Sequence, residues 1–203
     1  VSSEIDSLPL IRTKLYRPRI SAGLVSRPRL LERLEQRRGR PLTLVVAPAG
    51  YGKSTLVASW LETCSCPGAW LSLDEDDNDL ALFLSYFSAA IRTMFPGAVG
   101  ETSALLKAAS LPPLDVLTRS LINELDQIEQ PFILVLDDYH AVQNMDVHHL
   151  LTELFRYPPR ALHLVLASRS DPPLPLTTLR ARGQATEIRS QELRFTEAER
   201  TWL

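Results

Sequence analysis

Residues 50–55, Gly-Tyr-Gly-Lys-Ser-Thr, place two glycines, a lysine and two hydroxyls in one short run. Those residue types suit the holding of an anion. Glycine lets the backbone take positive φ and come close to a ligand, lysine brings a cation, and a hydroxyl directly after it can ligate Mg²⁺. The spacing is that of a phosphate-binding loop, which has a glycine, four intervening residues and then Gly-Lys-Ser/Thr. Ala47 stands where the first glycine would be. Backbone N–H groups and a helix N-terminus do most of the work in such a loop, so the exchange is physically tolerable. Ala49, Gly50, Tyr51, Gly52, Lys53, Ser54 and Thr55 are therefore the candidate phosphate-binding set. Lys53 would reach the β- and γ-phosphate oxygens, and Ser54 would ligate the metal. The bland alternative is an ordinary strand–turn–helix with a chance lysine.

A phosphate loop needs a metal carboxylate. Residues 132–136 are apolar and end in Asp137-Asp138. Acids at the carboxyl end of a buried parallel strand lie where such sheets bind ligands. Asp137 would hold Mg²⁺ directly or through water, and Asp138 would orient or deprotonate an attacking water. Residues 162–167 form another apolar run, which ends in Ser168-Arg169. Arg169 at that tip could meet a γ-phosphate; alternatively it could cap the acids Asp137 or Asp171.

These residues need a frame. Apolar runs at 42–47, 69–73, 132–136 and 162–167, with a weaker one at 186–195, predict strands. The first four are apolar on both faces, as in a covered parallel sheet. Helical spacing falls between them, at 53–62, 80–94, 114–127 and 147–155. The alternation predicts one doubly wound α/β domain, punctuated by Pro112-Pro113, Pro158-Pro159 and Pro172-Pro173. Thr196 and Glu199 have the spacing of a helix-opening capping box, so the chain is expected to continue beyond residue 203.

The 203 residues carry a net charge of −2, which excludes a globally basic nucleic-acid binder. Charge is uneven: ten Arg or Lys fall in residues 12–40, and five acids fall in residues 74–79. The acidic run reads as a solvated loop in which Asn78 or Asp79 caps the next helix, in preference to a second metal site. Cys64 and Cys66 read as reduced thiols at a helix end, because no further Cys or His pattern makes a zinc site. With no signal peptide and no long apolar run, the chain is expected to be soluble and cytoplasmic.

In order, the motifs are TKLYRPR, LVSRPRLLERL, APAGYGKSTL, WLSLDEDDND, LVLDDYH and LVLASRSDPPLPL. Together they resemble the STAND class of signalling ATPases, relatives of AAA+ proteins. More closely they resemble the N-terminal ATPase region of the MalT-like large LuxR-family transcriptional regulators. The resemblance covers nearly the whole chain after residue 10. It implies a P-loop NTPase sheet of order 2-3-4-1-5, with ATP or ADP and Mg²⁺ as ligands. It also implies a switch that is off with ADP and on with ATP, turning ATP over slowly. Val25-Ser26-Arg27 resembles that family's adenine-side motif, with Ser26 in place of its usual glycine, so Val25 and Arg27 join the candidate ligands. Arg33, Arg37 and Arg38 are expected to lie on a solvated helix face.

The family pattern continues into a winged helix with a phosphate-sensing histidine, an inducer-binding superhelix and a DNA-binding helix-turn-helix. None lies in these residues, so specific DNA binding is not expected of them, and ATP-dependent self-association would belong to the longer protein. The expected division is an N-terminal segment at 1–41, the NTPase core at 42–195, and the start of a further helical region at 196–203. The alternatives are a free-standing AAA+ type ATPase or P-loop kinase with fast turnover, and a nucleic-acid module using residues 12–40. The basic stretch precedes the phosphate loop and has Tyr16 as its one aromatic, which favours neither.

Overall fold

A computed structural model describes residues 10–20 and 25–200. Residues 1–9 and 21–24 of the expected N-terminal segment, and 201–203 of the expected further helical region, lie outside the described residues. Five strands form the sheet: β1 (Leu42–Val46), β2 (Gly68–Ser72), β3 (Phe132–Asp137), β4 (Leu162–Ser168) and β5 (Ala185–Arg189). All neighbouring pairs are parallel, in the order β2-β3-β4-β1-β5. This is the order implied by the family resemblance, with β4 between the strand that feeds the phosphate loop and the strand that carries the acids.

The helices are α1 (Pro28–Gln36), α2 (Lys53–Thr63), α3 (Leu80–Met94), α4 (Gly100–Leu106), α5 (Leu114–Asp126), α6 (Met145–Arg156), α7 (Leu176–Ala181) and α8 (Glu197–Arg200). Side chains of a strand alternate between faces, so each strand feeds two cores. Leu44, Leu71, Leu134, Leu136, Leu164 and Leu166 face Phe83 and Phe87 of α3, Leu121 of α5 and Leu151 of α6. Val45, Ile133, Val135, Val165 and Ile188 face Leu30 and Leu34 of α1, with Val57 and Trp60 of α2. Covering both faces explains why the first four strands read as unbroken apolar runs.

Four helix starts, those of α3, α4, α6 and α8, are fixed by side chains. Asp79 accepts from Leu82 N at 2.8 Å to cap α3, and Asn144 accepts from Asp146 N at 2.7 Å to cap α6. The N-terminus of α4 is capped from outside: the Glu124 carboxylate of α5 accepts from Glu101 N and Thr102 N, both at 2.8 Å. The Thr196–Glu199 capping box forms as expected, with Thr196 N donating to Glu199 at 2.8 Å and Glu199 N donating back at 3.3 Å.

Three expectations are corrected. The fifth strand ends at Arg189 rather than running to 195, because the chain turns there: Glu192 N and Leu193 N both donate to Arg189 O, at 2.9 and 3.1 Å. The face of α1 is not simply solvated. Arg33 pairs with Glu192 and donates to Glu187 O, and Arg38 pairs with Glu35 at 2.9 Å. Nor is the acidic loop merely solvated. Asp77 is fully buried and takes Lys14 Nζ at 2.6 Å, while Asp74 takes the same ammonium at 2.9 Å. Asp79 caps its helix as expected. No helix among the described residues is long and apolar enough to cross a membrane.

Candidate functional site

The 47–52 loop leaves β1 at the carboxyl edge of the sheet and enters α2. Gly50 (φ 82°) and Gly52 (φ 75°) both take the left-handed conformation that favours glycine. Gly52 is the cap of α2, and among the described residues no side-chain hydrogen bond caps that helix. A helix start of this kind, open and with glycines ahead of it, is a site for an anion. Lys53 is buried at the first helical position, and its Nζ donates to Pro48 O at 3.1 Å. Burial pulls its pKa below the usual ammonium range; Asp138 and Asp137 oppose that, and Arg169 adds to it.

Ser54 Oγ donates to Asp137 Oδ1 at 2.9 Å, joining α2 to the end of β3. Burial raises the pKa of Asp137, the Ser54 hydrogen bond opposes, and the Asp138 charge adds to the rise. A buried carboxylate beside a hydroxyl is a set of hard oxygen donors in want of a cation, so the residues fit Mg²⁺. Asp138 is half-exposed and sits at φ 55°, ψ 36°, a conformation that costs a non-glycine residue roughly 1–2 kcal/mol. That turn separates the two acids: Asp137 stays in the sheet with Ser54, while Asp138 leads into a 3₁₀ turn, Tyr139–Ala141.

Arg169 follows β4, which pairs with β1 through the register Val46↔Ser168, extended by Ala47 N donating to Ser168 O at 3.2 Å. Strand order thus sets Arg169 between the acids and the phosphate loop. Its charge acts on both Lys53 and His140. Asp171 is not its partner, correcting that alternative: Arg189 holds Asp171 with two bonds, at 2.6 and 3.2 Å.

Beside the loop lies a cavity of about 790 Å³, mainly apolar. Val25 and Arg27 line it together with Gly50, Tyr51, Gly52 and Thr55. Ala49 is exposed in the loop and does not line the cavity. The Arg27 guanidinium donates to Leu193 O at 2.6 Å and lies 4.0 Å over the Phe195 ring. Ile20, Leu193 and Phe195, which also line this space, were not singled out from sequence. Reading 186–195 as one strand hid the last two, and an apolar residue alone carries no signal for a pocket. His140, whose Nδ1 lies 3.8 Å from Asp138, was likewise not singled out.

A family model described as "AAA ATPase domain" matches residues 27–167, more than half the chain, and the chain belongs to that family. Within it, the chain is homologous to the ATPase region of MalT regulators. It is 42% identical over 190 residues to the HTH-type transcriptional regulator MalT of Serratia proteamaculans, covering 94% of this chain and 21% of that protein. To the Yersinia enterocolitica regulator of the same name it is 38% identical, with the same coverage. The chain therefore spans about a fifth of the length of these relatives. Among solved structures it resembles a STAND protein with a tetratricopeptide repeat sensor from Pyrococcus horikoshii. That match has a TM-score of 0.57 at 15% identity and covers 90% of this chain and 25% of the other. It also resembles Cdc6p from Pyrobaculum aerophilum, with a TM-score of 0.55 at 14% identity, covering 88% and 49%. At such identities the likeness is one of fold. Membership of an AAA ATPase family implies nucleotide binding.

Proposed function

We propose that this chain is the ATP- and ADP-binding switch region of a larger, signal-responsive transcriptional regulator of the MalT type, working in the cytoplasm and hydrolysing ATP slowly. The observation that carries the reading is the buried Lys53, held by a carbonyl of its own loop, at an uncapped helix start one residue from the Ser54–Asp137 pair. In this reading residues 42–195 are the nucleotide core, residues 1–41 are an N-terminal segment carrying the adenine-side motif, and residues 196–203 begin a further helical region. The winged-helix, inducer-binding and DNA-binding parts, and any ATP-dependent self-association, belong to the longer protein.

In this reading the loop N–H groups of Ala49, Gly50, Tyr51 and Gly52 cradle phosphate, and Thr55 lies at its edge. Lys53 neutralises β- and γ-oxygens. Ser54 and Asp137 hold Mg²⁺, which when bound offsets phosphate charge and orients the terminal group. Asp138 aligns or deprotonates the attacking water, and Arg169 meets the γ-phosphate with a fork that can bind two oxygens. Val25, Arg27, Leu193 and Phe195 wall the base and ribose. The test is to denature the purified chain and identify released nucleotide by chromatography. Retained ADP supports a switch that rests in the ADP state. A chain that carries no nucleotide and takes up neither ADP nor ATP contradicts the reading.

A further inference from the structure

His140 sits among the groups assigned to the γ-phosphate, and the roles above leave it unused. The turn that carries it is pinned on both sides. Tyr139 is buried, its hydroxyl 2.7 Å from His148 Nδ1. On the other side Asn78 Nδ2 donates to Ala141 O at 3.0 Å, and Asn78 Oδ1 accepts from Gln143 N and Asn144 N at 2.6 and 2.9 Å. These contacts fix the backbone on either side of His140 and leave its ring to be placed by what it faces.

Its Nδ1 is buried and lacks a hydrogen-bond partner among the described residues. The nearest carboxylate oxygen is Asp138 Oδ1, at 3.8 Å, just beyond hydrogen-bond reach. Buried polar atoms without partners are uncommon and call for a functional account. Burial lowers the His140 pKa, and the charges of Arg169 and Lys53 add to this while Asp138 opposes it, so the net shift favours the neutral ring. A neutral imidazole has one N–H and one lone pair, and against a carboxylate the N–H is the end that fits.

We infer that His140 is a positioning residue for Asp138: its Nδ1–H closes onto the Asp138 carboxylate and fixes which oxygen faces the attacking water. The inference rests on the nucleotide reading of the same site. It gives the strained Asp138 turn a use, since that conformation is what brings residues 138 and 140 face to face.

The test uses wild type, His140→Ala, His140→Asn and Asp138→Ala, with Mg²⁺ and the non-hydrolysable analogue AMP-PNP as probe. Asparagine keeps an N–H near the Nδ1 position. Imidazole ¹⁵N spectra read the tautomer without turnover. The Nδ1–H form is expected in wild type with the probe bound, and its loss in Asp138→Ala. Hydrolysis should fall about tenfold or more in His140→Ala, as for a lost charge-assisted hydrogen bond, and recover largely in His140→Asn. Calorimetric affinity for the probe should change less than about threefold, since His140 acts on water placement and not on nucleotide binding. An Nε2–H tautomer indifferent to residue 138 overturns the inference, as does His140→Ala with full hydrolysis. Wild type that fails to bind the probe overturns the nucleotide reading beneath it.

Discussion

Arg169 has no hydrogen bond or ion pair among the described residues, yet its charge reaches both Lys53 and His140. ADP and ATP differ by the γ-phosphate, and a ligand shifts a two-state equilibrium only through differential interaction. Arg169→Ala should therefore weaken ATP more than ADP, by about 1–3 kcal/mol if the coupling is of ordinary size. The check is the ratio of the two dissociation constants at fixed Mg²⁺; an unchanged ratio makes Arg169 structural. A second residue-scale prediction concerns His163, buried at the opposite edge of the sheet. Its Nδ1 lies 2.5 Å from Arg40 O and its Nε2 3.0 Å from Thr43 Oγ1, and burial lowers its pKa to about 4. The unfolded chain takes up this proton near the ordinary value of 6.5, whereas the folded chain waits until about 4. Between those values the unfolded state binds more protons, so stability falls as pH falls, by up to about 3 kcal/mol from this group. Urea unfolding should show that slope in wild type, and a shallower one in His163→Asn; equal slopes would show that His163 titrates freely.

At the scale of elements, the N-terminal segment is fastened by Lys14, which reaches Asp74 and Asp77, and whose Nζ lies 4.4 Å from the Tyr86 ring centre. Burial lowers the Lys14 pKa, but its two carboxylates outweigh this and the net shift is upward. Burial also raises Asp77, which Lys14 only partly offsets, since this acid is wholly enclosed and its Oδ1 has no hydrogen-bond partner among the described residues. Lys14→Met would strand that carboxylate and should cost about 3 kcal/mol or more. Adding Asp77→Asn should recover much of the loss. A single-variant cost below about 1 kcal/mol in urea unfolding would mean that the latch is open in solution. Sequence showed the ten basic residues and the five acids as separate clusters, because a pairing across 60 or 63 positions leaves no local trace. The same holds for α1, where Arg27 and Arg29 donate to carbonyls of the turn after β5. Helix α4 escaped notice for a related reason: it is short, and its capping carboxylate comes from Glu124 on another helix.

For the molecule as a whole, the sheet was largely readable because both faces of β1, β3 and β4 are buried, which writes apolar runs into the sequence. β5 is an edge strand with Glu187 and Arg189 half-exposed, so its pattern is weaker and its end could be misplaced. The phosphate-loop side of the site was readable for a similar reason: motif, strand and helix are contiguous. The cavity beside it was legible only in part: Val25 and Arg27 came through the family resemblance, whereas Ile20, Leu193 and Phe195 did not, because they are brought together only by folding. The loop around Lys53 is assigned to nucleotide phosphate, and titration calorimetry of wild type and Lys53→Ala with Mg·ADP and Mg·ATP is the sharpest check on that claim. Lys53 removes charge from phosphates that both nucleotides share, so the variant should lose about 1.5–3 kcal/mol, roughly tenfold or more in affinity, for ADP and ATP alike. Unchanged affinity for both nucleotides in Lys53→Ala would contradict the claim.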